Sequence, residues 1–373
     1  MSGERRVTLA DVAAAAGVSV ALVSIVMRDA PGASAATRER VLEVARRLDY
    51  QPDSRARLLR SGQSRLLGVV FGVMHPFHDD LLTGLYDAAE KIGYELTLSA
   101  VTPRRDERTA IASLLQDRCA ALVLLGPQIP TAELATLAGR LPVVAMMRAV
   151  RQRQVDVVRT DDGRGLHLAV DHLVALGHRN IAHVDGGRWL SSAERRQGYR
   201  DAMRRHGLQA YERVVNGGFG EEDGARAARE LLDEPPTAVT VFNDLSATGL
   251  LDVLRRHGLS VPGDISVVGY DDSSFSRLAH IDLTTVAQDI GTMATLAVAR
   301  AVERIDGAQI AHREVVIPPR LVVRGTTVPP SDTKGTTVPP PDTKGTTVPP
   351  PDIKGTTGPP SGHTGDDPGR GRP

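Results

Sequence analysis

The chain has 373 residues, of which 41% are hydrophobic, 24% charged and 3% aromatic, so it can form two or three domains with cores of Ala, Val, Leu and Ile. Its one cysteine, Cys119, excludes a disulfide framework and a multi-thiolate metal centre, and we expect an inert core thiol there. The net charge is zero, but residues 1–66 carry 11 Arg against 7 acidic residues, while residues 67–324 carry 29 basic against 33 acidic residues. This split favours a polyanion partner for the first segment, although a solvated arginine-rich surface explains it equally well.

Residues 1–62 show three short helical patterns and no strand pattern. Thr8 is a suitable N-cap with Asp11 in the capping-box position, Gly17 ends the first helix, and Ser19 caps the second. Two short helices joined by a tight glycine-containing turn predict a helix-turn-helix. A third helix is predicted at Thr37–Leu48, opening at Ser34 or Ala36. The residues expected to face the core are Leu9, Val12, Ala13 and Ala16 of the first helix, Leu22, Val23, Val26 and Met27 of the second, and Val41, Leu42, Ala45 and Leu48 of the third.

Residues 66–324 alternate short apolar runs with helical patterns, which predicts parallel sheets covered by helices on both faces. Because this length is large for one sheet, we expect two α/β subdomains with a ligand crevice at the carboxyl ends of their strands. The predicted strands are Leu66–Val73, Glu95–Val101, Ala121–Leu125, Val143–Met147, Ile181–Asp185, Ala238–Asn243 and Ile265–Tyr270. The predicted helices are Asp79–Ile92, Asp106–Asp117, Gly163–Leu176, Ala193–His206, Gly224–Leu232 and Ser246–His257.

Residues 325–373 contain a ten-residue repeat that reads GTTVPPSDTK from Gly325, GTTVPPPDTK from Gly335 and GTTVPPPDIK from Gly345, with a decayed copy from Gly355. Single Val or Ile positions offer little apolar surface to offset the entropy of ordering, so we expect a disordered tail that is partly polyproline II. A proline-rich ligand for another domain, or a spacer, is the alternative.

Several segments of the chain resemble motifs of the lactose-repressor (LacI/GalR) family of bacterial transcription factors, in the same order and across residues 7–324. The motifs are VTLADVAAAAGVS from Val7, TRERV from Thr37, YQPD from Tyr50, ARxL from Ala56, VRTDDxxG from Val158, GHRxIA from Gly177, RxxGY from Arg195, FNDxxAxG from Phe242, ISVVGYDD from Ile265 and LTTVxQ from Leu283.

The resemblance implies an α/β protein with a small helical DNA-binding domain in front. It implies a three-helix helix-turn-helix domain at residues 1–50, a hinge at 51–65 and a two-lobed core at 66–324 like that of periplasmic binding proteins. Lobe 1 is expected at about 66–159 and 288–317, and lobe 2 at about 160–287 and 318–324. The core is expected to bind an effector and to form a homodimer, with residues 288–311 and helices of lobe 1 at the dimer surface.

The resemblance also assigns DNA contacts, with a recognition helix at roughly Ser19–Arg28 in the major groove. Val20, Ala21 and Ile25 stand at its base-reading positions, and all three are apolar, so no side chain there can make a bidentate contact to guanine. Readout then relies on thymine methyl groups, on a hinge leucine wedged into the minor groove and on DNA deformability. The expected DNA-binding residues are Thr8, Leu9, Ser19, Val20, Ala21, Ser24, Ile25 and Arg28, with Arg55, Ala56, Arg57 and Leu59 of the hinge. The alternatives are a three-helix protein-interaction module, a helix that has lost readout, and a hinge that is only a linker.

The resemblance places effector contacts at strand ends, where polar groups and one aromatic platform suit a saccharide. Met147 stands where the family has an aspartate, which removes a carboxylate from the cleft and argues against a simple hexose. Each polar residue has a buried structural hydrogen bond as its alternative role, and for His75 that role is favoured. The expected effector-binding residues are His75, Phe77, Asp80, Arg195, Phe219, Asn243, Asp271 and Gln288.

No other chemistry is supported by the sequence. The pairs His75 with His78 and His178 with His183 lack further ligands at metal-site spacing, and no Walker, dinucleotide-loop or nucleophile-elbow motif occurs. We therefore predict no enzyme, no catalytic residue, no metal and no cofactor. The predicted function is that of a sequence-specific DNA-binding regulator, most simply a repressor.

The predicted partners are palindromic double-stranded DNA, a second copy of the chain and a carbohydrate or related polar effector. Membrane contact is not expected, because no apolar run reaches roughly 18 residues and the N-terminus lacks the apolar stretch of a signal peptide. We expect a cytoplasmic, nucleoid-associated protein. A periplasmic-type solute-binding protein without DNA function is the main alternative, and an enzyme that uses the α/β cleft is another.

Overall fold

The structure is a computed structural model of the chain, and it describes residues 7–27, 29–50, 64–73 and 75–331. The predicted DNA-contact residues Arg28, Arg55, Ala56, Arg57 and Leu59 lie outside the described residues, as do most of the hinge and the repeat tail from residue 332 onward. Among the described helices, no single one is long and apolar enough to cross a membrane.

The N-terminal domain consists of α1 (Leu9–Ala16), α2 (Val20–Met27) and α3 (Ala35–Arg47). Thr8 and Asp11 form the predicted capping box, and Gly17 ends α1 in the left-handed conformation that glycine adopts without strain. The axis turns by 106° between α1 and α2, within the range of helix-turn-helix units. The domain core contains Val12, Ala13, Ala16, Val23, Val26, Val41, Val44 and Ala45.

One predicted core residue of the third helix is wrong. Leu42 is 40% exposed, and Val44 is buried in its place. Val41, Val44 and Ala45 follow the i, i+3, i+4 spacing of one helix face, whereas Leu42 is rotated about 100° away from Val41. Ser34, rather than Ala36, caps this helix.

The rest of the described chain forms two α/β lobes. In chain order, its elements are β1 (Leu66–Gly72), α4 (Pro76–Lys91), β2 (Glu95–Val101), α5 (Glu107–Gln116), β3 (Ala121–Leu125), α6 (Thr131–Ala138), β4 (Val143–Met146), β5 (Val155–Thr160), α7 (Asp162–Ala175), β6 (Ile181–Val184), α8 (Ser192–Arg205), β7 (Arg213–Val215), α9 (Glu221–Leu231), β8 (Ala238–Val241), α10 (Asp244–Arg256), β9 (Ser266–Asp271), β10 (Thr284–Ala287), α11 (Ile290–Ile305), β11 (Glu314–Ile317) and β12 (Arg320–Val322). Short 3-10 helices lie at Gln209–Tyr211 and Ser274–Arg277.

The strands build two sheets with equivalent strand orders. The lobe 1 sheet runs β11-β5-β4-β3-β1-β2, and the lobe 2 sheet runs β12-β10-β9-β8-β6-β7. Neighbouring strands pair in parallel, apart from the antiparallel pair of β10 with β12. The predicted α/β fold class is confirmed. The short strands β5, β7, β10, β11 and β12 were not predicted as strands.

The parallel sheets are apolar on both faces because helices cover both. In lobe 1, Leu67 and Val123 pack against α4 and α11 on one face, while Leu122 and Leu124 pack against α5 and α6 on the other. In lobe 2, α9 and α10 cover one face, and α7 and α8 cover the other. Strands buried on both sides therefore produce the continuous apolar runs seen in the sequence.

The chain crosses between the lobes three times within the described residues: after β5, after β10 and after β11. Each crossing joins the two sheets on the side where the parallel strands end. Side chains at the strand ends of both lobes are thereby brought to one cleft, as expected for open α/β sheets.

The first residues of the predicted disordered tail are a correction. Residues 325–331 are packed on lobe 2, and Thr326 is 3% exposed. The Thr326 hydroxyl donates to the Val267 carbonyl at 2.7 Å and accepts from the Thr284 amide at 2.9 Å. The composition of the repeat suggested that apolar burial could not offset the entropy lost when this segment becomes ordered. Hydrogen bonds to the sheet supply the additional stabilisation.

Candidate functional site

The start of α2 presents an apolar surface. Val20 and Ala21 are exposed in its first turn, and Ser19 accepts a hydrogen bond from the Leu22 amide at 3.2 Å. Ile25 lies one turn later and is half-buried, because its side chain packs beside Gly32 in the following loop. The exposed residues of this helix start offer apolar side chains, and their contact with base edges stays a prediction.

The other predicted residues of this domain have mixed surroundings. Thr8 is exposed at the start of α1, and its hydroxyl already accepts a hydrogen bond from the Asp11 amide. Leu9 and Ser24 are half-buried. Arg38 of α3 pairs with Asp29 at 2.6 Å and donates to the Ala30 carbonyl at 2.8 Å, which fixes the loop after α2.

The larger site is a cavity of about 640 Å³ between the lobes. Seven of the eight predicted effector residues line it: His75, Phe77, Arg195, Phe219, Asn243, Asp271 and Gln288. The lobe 1 wall is largely apolar, and the residues that contribute to it include Phe71, Val73, Val101, Leu125, Ile129 and Met147. Each lobe contributes three charged residues to the lining: Asp106, Glu107 and Arg108 of lobe 1, and Asp162, Arg195 and Asp271 of lobe 2. The three of lobe 2 are buried and form the base of the cavity.

Arg195 on α8 is the centre of that base. It is buried, its Nε donates to Asp162 Oδ1 at 2.8 Å, and its Nη1 donates to the Phe242 carbonyl at 2.5 Å. Its guanidinium also stacks on the Tyr270 ring at 3.5 Å and lies 3.6 Å from Asp271. Burial opposes the charge of Arg195, but the two carboxylates outweigh it and raise its pKa.

Asp271 ends β9 and joins this base to the crossings between the lobes. Gln288 Nε2 donates to Asp271 Oδ1 at 2.8 Å, and the Thr160 hydroxyl donates to Gln288 Oε1 at 2.6 Å. Burial raises the pKa of Asp271 to about 6, against the opposing effect of Arg195. Thr160 and Gln288 stand at two of the three crossings, so a ligand on Asp271 contacts a network that spans both lobes.

A second carboxyl group lies beneath the cavity. Asp244 at the start of α10 is fully buried and accepts hydrogen bonds from the hydroxyl of Thr285 at 2.6 Å and the amide of Ser273 at 2.8 Å. Burial, together with Asp271, raises its pKa to about 8. Asp244 was not predicted, although it follows Asn243 directly in the FNDxxAxG motif.

Asn243 has both a structural role and a free donor. Its side-chain oxygen caps α10 by accepting from the Ser246 amide at 2.8 Å. Its Nδ2 is buried at the cavity and has no hydrogen-bond partner in the part of the chain that the structure describes. A ligand oxygen at this position would accept a hydrogen bond from that amide. A buried donor without an acceptor otherwise destabilises the folded protein.

Aromatic rings meet at one end of the cavity. The His75 ring of lobe 1 lies 3.9 Å from the Phe219 ring and 5.6 Å from the Trp189 ring, both of lobe 2. His75 also stacks on His78 at 4.4 Å. Burial lowers the pKa of His75 to about 4 and, together with His75, that of His78 to about 3, so both rings are neutral at pH 7. Sequence reasoning missed Trp189, whose only signal was its position in the loop after β6.

Asp80 is the one predicted effector residue that does not line the cavity. It pairs with Arg277 at 3.2 Å and so links α4 of lobe 1 to the 3-10 helix of lobe 2. Phe77 and Asp80 are three residues apart on α4, and only Phe77 lines the cleft. Asp162 was also missed as a cavity residue, although it belongs to the VRTDDxxG motif.

Three of the eight non-glycine residues with positive φ in the described part of the chain line the cavity. Met147, Ser191 and Asp271 are non-glycine residues with φ of 60°, 65° and 109°, and all three line it. The Ser191 hydroxyl donates to the Met147 carbonyl at 3.4 Å across the lobes. Strained residues of this kind cluster at binding sites.

His178, His183 and Cys119 are buried in structural surroundings. His178 contacts Thr237 and the Val328 carbonyl, and His183 contacts Thr240. Burial raises the pKa of Cys119 to about 11, which keeps the thiol protonated. Within residues 7–27, 29–50, 64–73 and 75–331, no group of three His, Cys, Asp or Glu side chains is arranged to hold a metal.

Comparisons with known proteins match both the N-terminal domain and the two-lobed core. Residues 8–53 match the family model "Bacterial regulatory proteins, lacI family", and residues 170–327 match "Periplasmic binding protein-like domain". The chain is 38% identical over 333 residues to the HTH-type transcriptional regulator GalR of Escherichia coli strain K12, which covers 87% of this chain and 96% of that protein.

Two solved structures are also similar. A LacI transcriptional regulator from a Rhodococcus species has 49% identity and a TM-score of 0.69, over 71% of this chain and 98% of that one. The Lac repressor dimer bound to operator and the anti-inducer ONPF has 30% identity and a TM-score of 0.74, over 87% of this chain and all of that one.

Proposed function

Because the chain belongs to the lacI family of bacterial regulatory proteins, we propose that it is a repressor whose operator affinity is set by a sugar-like effector in the interlobe cleft. As a family member it is a DNA-binding transcriptional regulator. The observation that carries the effector proposal is the Arg195–Asp162–Asp271–Gln288 network, which faces aromatic rings across one cavity.

This arrangement suits a neutral polyhydroxylated ligand better than an anion. Arg195 is already held by Asp162, Asp271 and a backbone carbonyl, so its charge is balanced within the protein. Hydroxyl groups can donate to the carboxylate oxygens, and the Asn243 amide can donate to a ligand oxygen. Phe219 and Trp189 offer ring faces for the C–H face of a sugar.

The regulator is proposed to act as a homodimer on a palindromic operator, since one helix-turn-helix reads only a half-site. The similar Lac repressor was solved as a dimer on its operator. Val20, Ala21 and Ile25 are proposed to contact thymine methyl groups, and Leu59 to enter the minor groove. We place this activity in the cytoplasm, on chromosomal DNA, and assign no catalytic role.

Allostery is proposed to run through the crossings between the lobes. Thr160 and Gln288 join the cleft network to two of these crossings. An effector that binds one lobe arrangement more tightly shifts the population toward it, and operator affinity follows if DNA favours the other arrangement.

The test is selection of random duplex DNA by the full-length protein at two salt concentrations, followed by titration of the selected site with a sugar panel. We expect a two-fold palindrome and a sugar that changes its affinity. Ile25→Arg should alter the selected half-site, and Leu59→Ala should weaken specific binding while leaving salt-sensitive non-specific binding unchanged. Recovery of no DNA at either salt concentration, with sugar binding intact, would overturn the repressor assignment.

A further inference from the structure

The C-terminal segment Gly325–Ser331, called here the strap, lies against the end of lobe 2. Its first six residues, GTTVPP, occur again without change at residues 335–340 and 345–350. The seventh residue, Ser331, is exposed and is replaced by proline in both later copies. The part of the strap that packs is therefore the part that is repeated.

The first two residues of the strap hold it to lobe 2 through hydrogen bonds. The Gly325 amide donates to the Asp282 carbonyl at 2.9 Å. Thr326 is buried, and its hydroxyl connects the Val267 carbonyl to the Thr284 amide. The Val267 amide donates in turn to the Thr326 carbonyl at 2.8 Å.

The second half of the strap lies in a polar groove below α7. The Val328 amide donates to the Ser266 hydroxyl at 3.1 Å, and the Val328 carbonyl accepts from His178 Nε2 at 2.8 Å. Thr327 contacts His172 Nε2 at 3.0 Å. The Pro330 ring lies over Gly177, where a Cβ would come within 3.5 Å of it.

Each of these contacts uses either the backbone or a side chain that recurs in the repeat. Residues 335–340 offer the same glycine amide, the same two threonine hydroxyls, the same valine backbone and the same proline. Among the described residues, Ser266, Thr284, His172 and His178 form the groove side, and the contacts that they make to the first copy use groups that the second copy also has.

We propose that this groove on lobe 2 is a docking site for the G-T-T-V-P-P motif, and that Gly335–Pro340 of the same chain is a replacement strap. When the second copy docks, residues 325–334 form a ten-residue loop after Arg324. The ends of that loop need only meet at adjacent positions, and loop-closure entropy rises slowly with length. The first copy is preferred in the intact chain because it docks without forming a loop.

The test compares full-length variants in which the buried threonine of each copy is replaced by lysine. Thr326→Lys places a charged side chain in a 3% exposed site and so unseats the first copy. The triple variant Thr326→Lys, Thr336→Lys and Thr346→Lys unseats all three. The matched control, Thr336→Lys with Thr346→Lys, keeps the first copy and is expected to melt at the wild-type temperature.

We expect Thr326→Lys to melt at least about 3 °C above the triple variant. Hydrogen exchange gives a direct readout. In Thr326→Lys, the Val328 amide should lose its protection, and the Val338 amide should exchange at least about tenfold more slowly than in the wild type. Equal melting temperatures for the single and triple variants, together with fast hydrogen exchange at the Val338 amide, would overturn the proposal. A rescue that grows with protein concentration would also overturn it, because the docked copy would then come from another chain.

Discussion

The two lobes share a strand order, but they meet the cleft with different chemistry. Lobe 1 lines its side mainly with apolar residues, and Met147 directly follows its β4. Lobe 2 ends the equivalent strand, β9, with Asp271, and it buries Arg195 and Asp244 nearby. One architecture thus supplies a mainly apolar wall on one side and a buried, charged and hydrogen-bonded base on the other.

This difference shows that the fold determines where each strand ends but not which type of side chain occupies that position. In lobe 1, an apolar side chain at a strand end needs only volume and packing. In lobe 2, each buried charge at a strand end depends on its partners, because an unpaired charge in the interior is costly. The lobes should therefore respond differently to substitution and to pH.

The largest effect is expected from breaking the lobe 2 network at its centre. Arg195→Met leaves Asp162 and Asp271 buried without their cation, which we expect to lower the free energy of unfolding by about 3–5 kcal/mol. Urea unfolding measures the loss. Effector binding can be followed by the fluorescence of Trp189, the only tryptophan in the chain and a residue of the cleft.

Arg200→Met is the matched control, on the same helix. Arg200 pairs with Glu212 at 2.7 Å, and both side chains are partly exposed, so a loss of less than about 1 kcal/mol is expected. A similar loss of unfolding free energy in Arg195→Met and Arg200→Met would mean that the buried network contributes no more to stability than an exposed ion pair.

The next effect separates the lobes by pH. Burial lowers the pKa of His75 to about 4 and of His78 to about 3 in lobe 1. Between pH 6.5 and about 4 the unfolded chain binds protons that these folded histidines do not, so their contribution to stability falls as the pH falls, by up to about 1.4 kcal/mol per pH unit for each. Asp244 and Asp271 of lobe 2 have raised pKa values, so they hold protons when folded and oppose this loss.

His75→Gln should therefore reduce the loss of stability between pH 6.5 and pH 5, because one fewer group takes up a proton on unfolding. Asp244→Asn should make the loss steeper, because the opposing proton is removed. Urea unfolding at pH 7, 6 and 5 measures both slopes. Parallel curves for the wild type and the two variants would contradict the assignment of these groups.

A smaller effect is expected from reshaping the apolar wall of lobe 1. Phe77 is 5% exposed and packs in the lobe 1 core, so Phe77→Leu should cost about 1–1.5 kcal/mol of unfolding free energy. Phe219→Leu is the matched change in lobe 2, at a partly exposed ring that faces the cleft. Phe219→Leu should weaken effector binding with little change in stability. If Phe219→Leu instead lowered stability and Phe77→Leu lowered only effector affinity, the assigned roles of the two rings would be wrong.

The same contrast explains what the sequence could predict. Long apolar runs such as Ala121–Leu125 identified the buried strands, and motif positions such as Arg195 and Gln288 were placed at the cleft. The short strands β7 and β12 were missed because three residues carry too little pattern. The ordered strap was missed because its stability comes from hydrogen bonds to Ser266, Thr284 and Val267 rather than from its own composition.

Asp80 shows the limit of motif position as a guide to role. It is close in sequence to the cleft residues His75 and Phe77, but whether it reaches the ligand depends on the partner that lobe 2 offers. That partner is Arg277, which could not be identified without the arrangement of the two lobes. Trp189 is the opposite case, since only tertiary structure brings it to the ring of His75.

The smallest effect is expected at this ion pair, which joins the lobes outside the cavity. The Arg277 side chain is half-exposed and the Asp80 side chain is less so, and exposed pairs contribute little, so Asp80→Asn should change the unfolding free energy by less than about 1 kcal/mol. Because the pair forms between lobes, the substitution should weaken effector binding slightly at low salt, and this difference should disappear at high salt as the charges are screened. Trp189 fluorescence titrations at two salt concentrations measure it. A salt-independent loss of effector affinity above about tenfold would instead place Asp80 in the binding site and restore the role that its position in the sequence predicted.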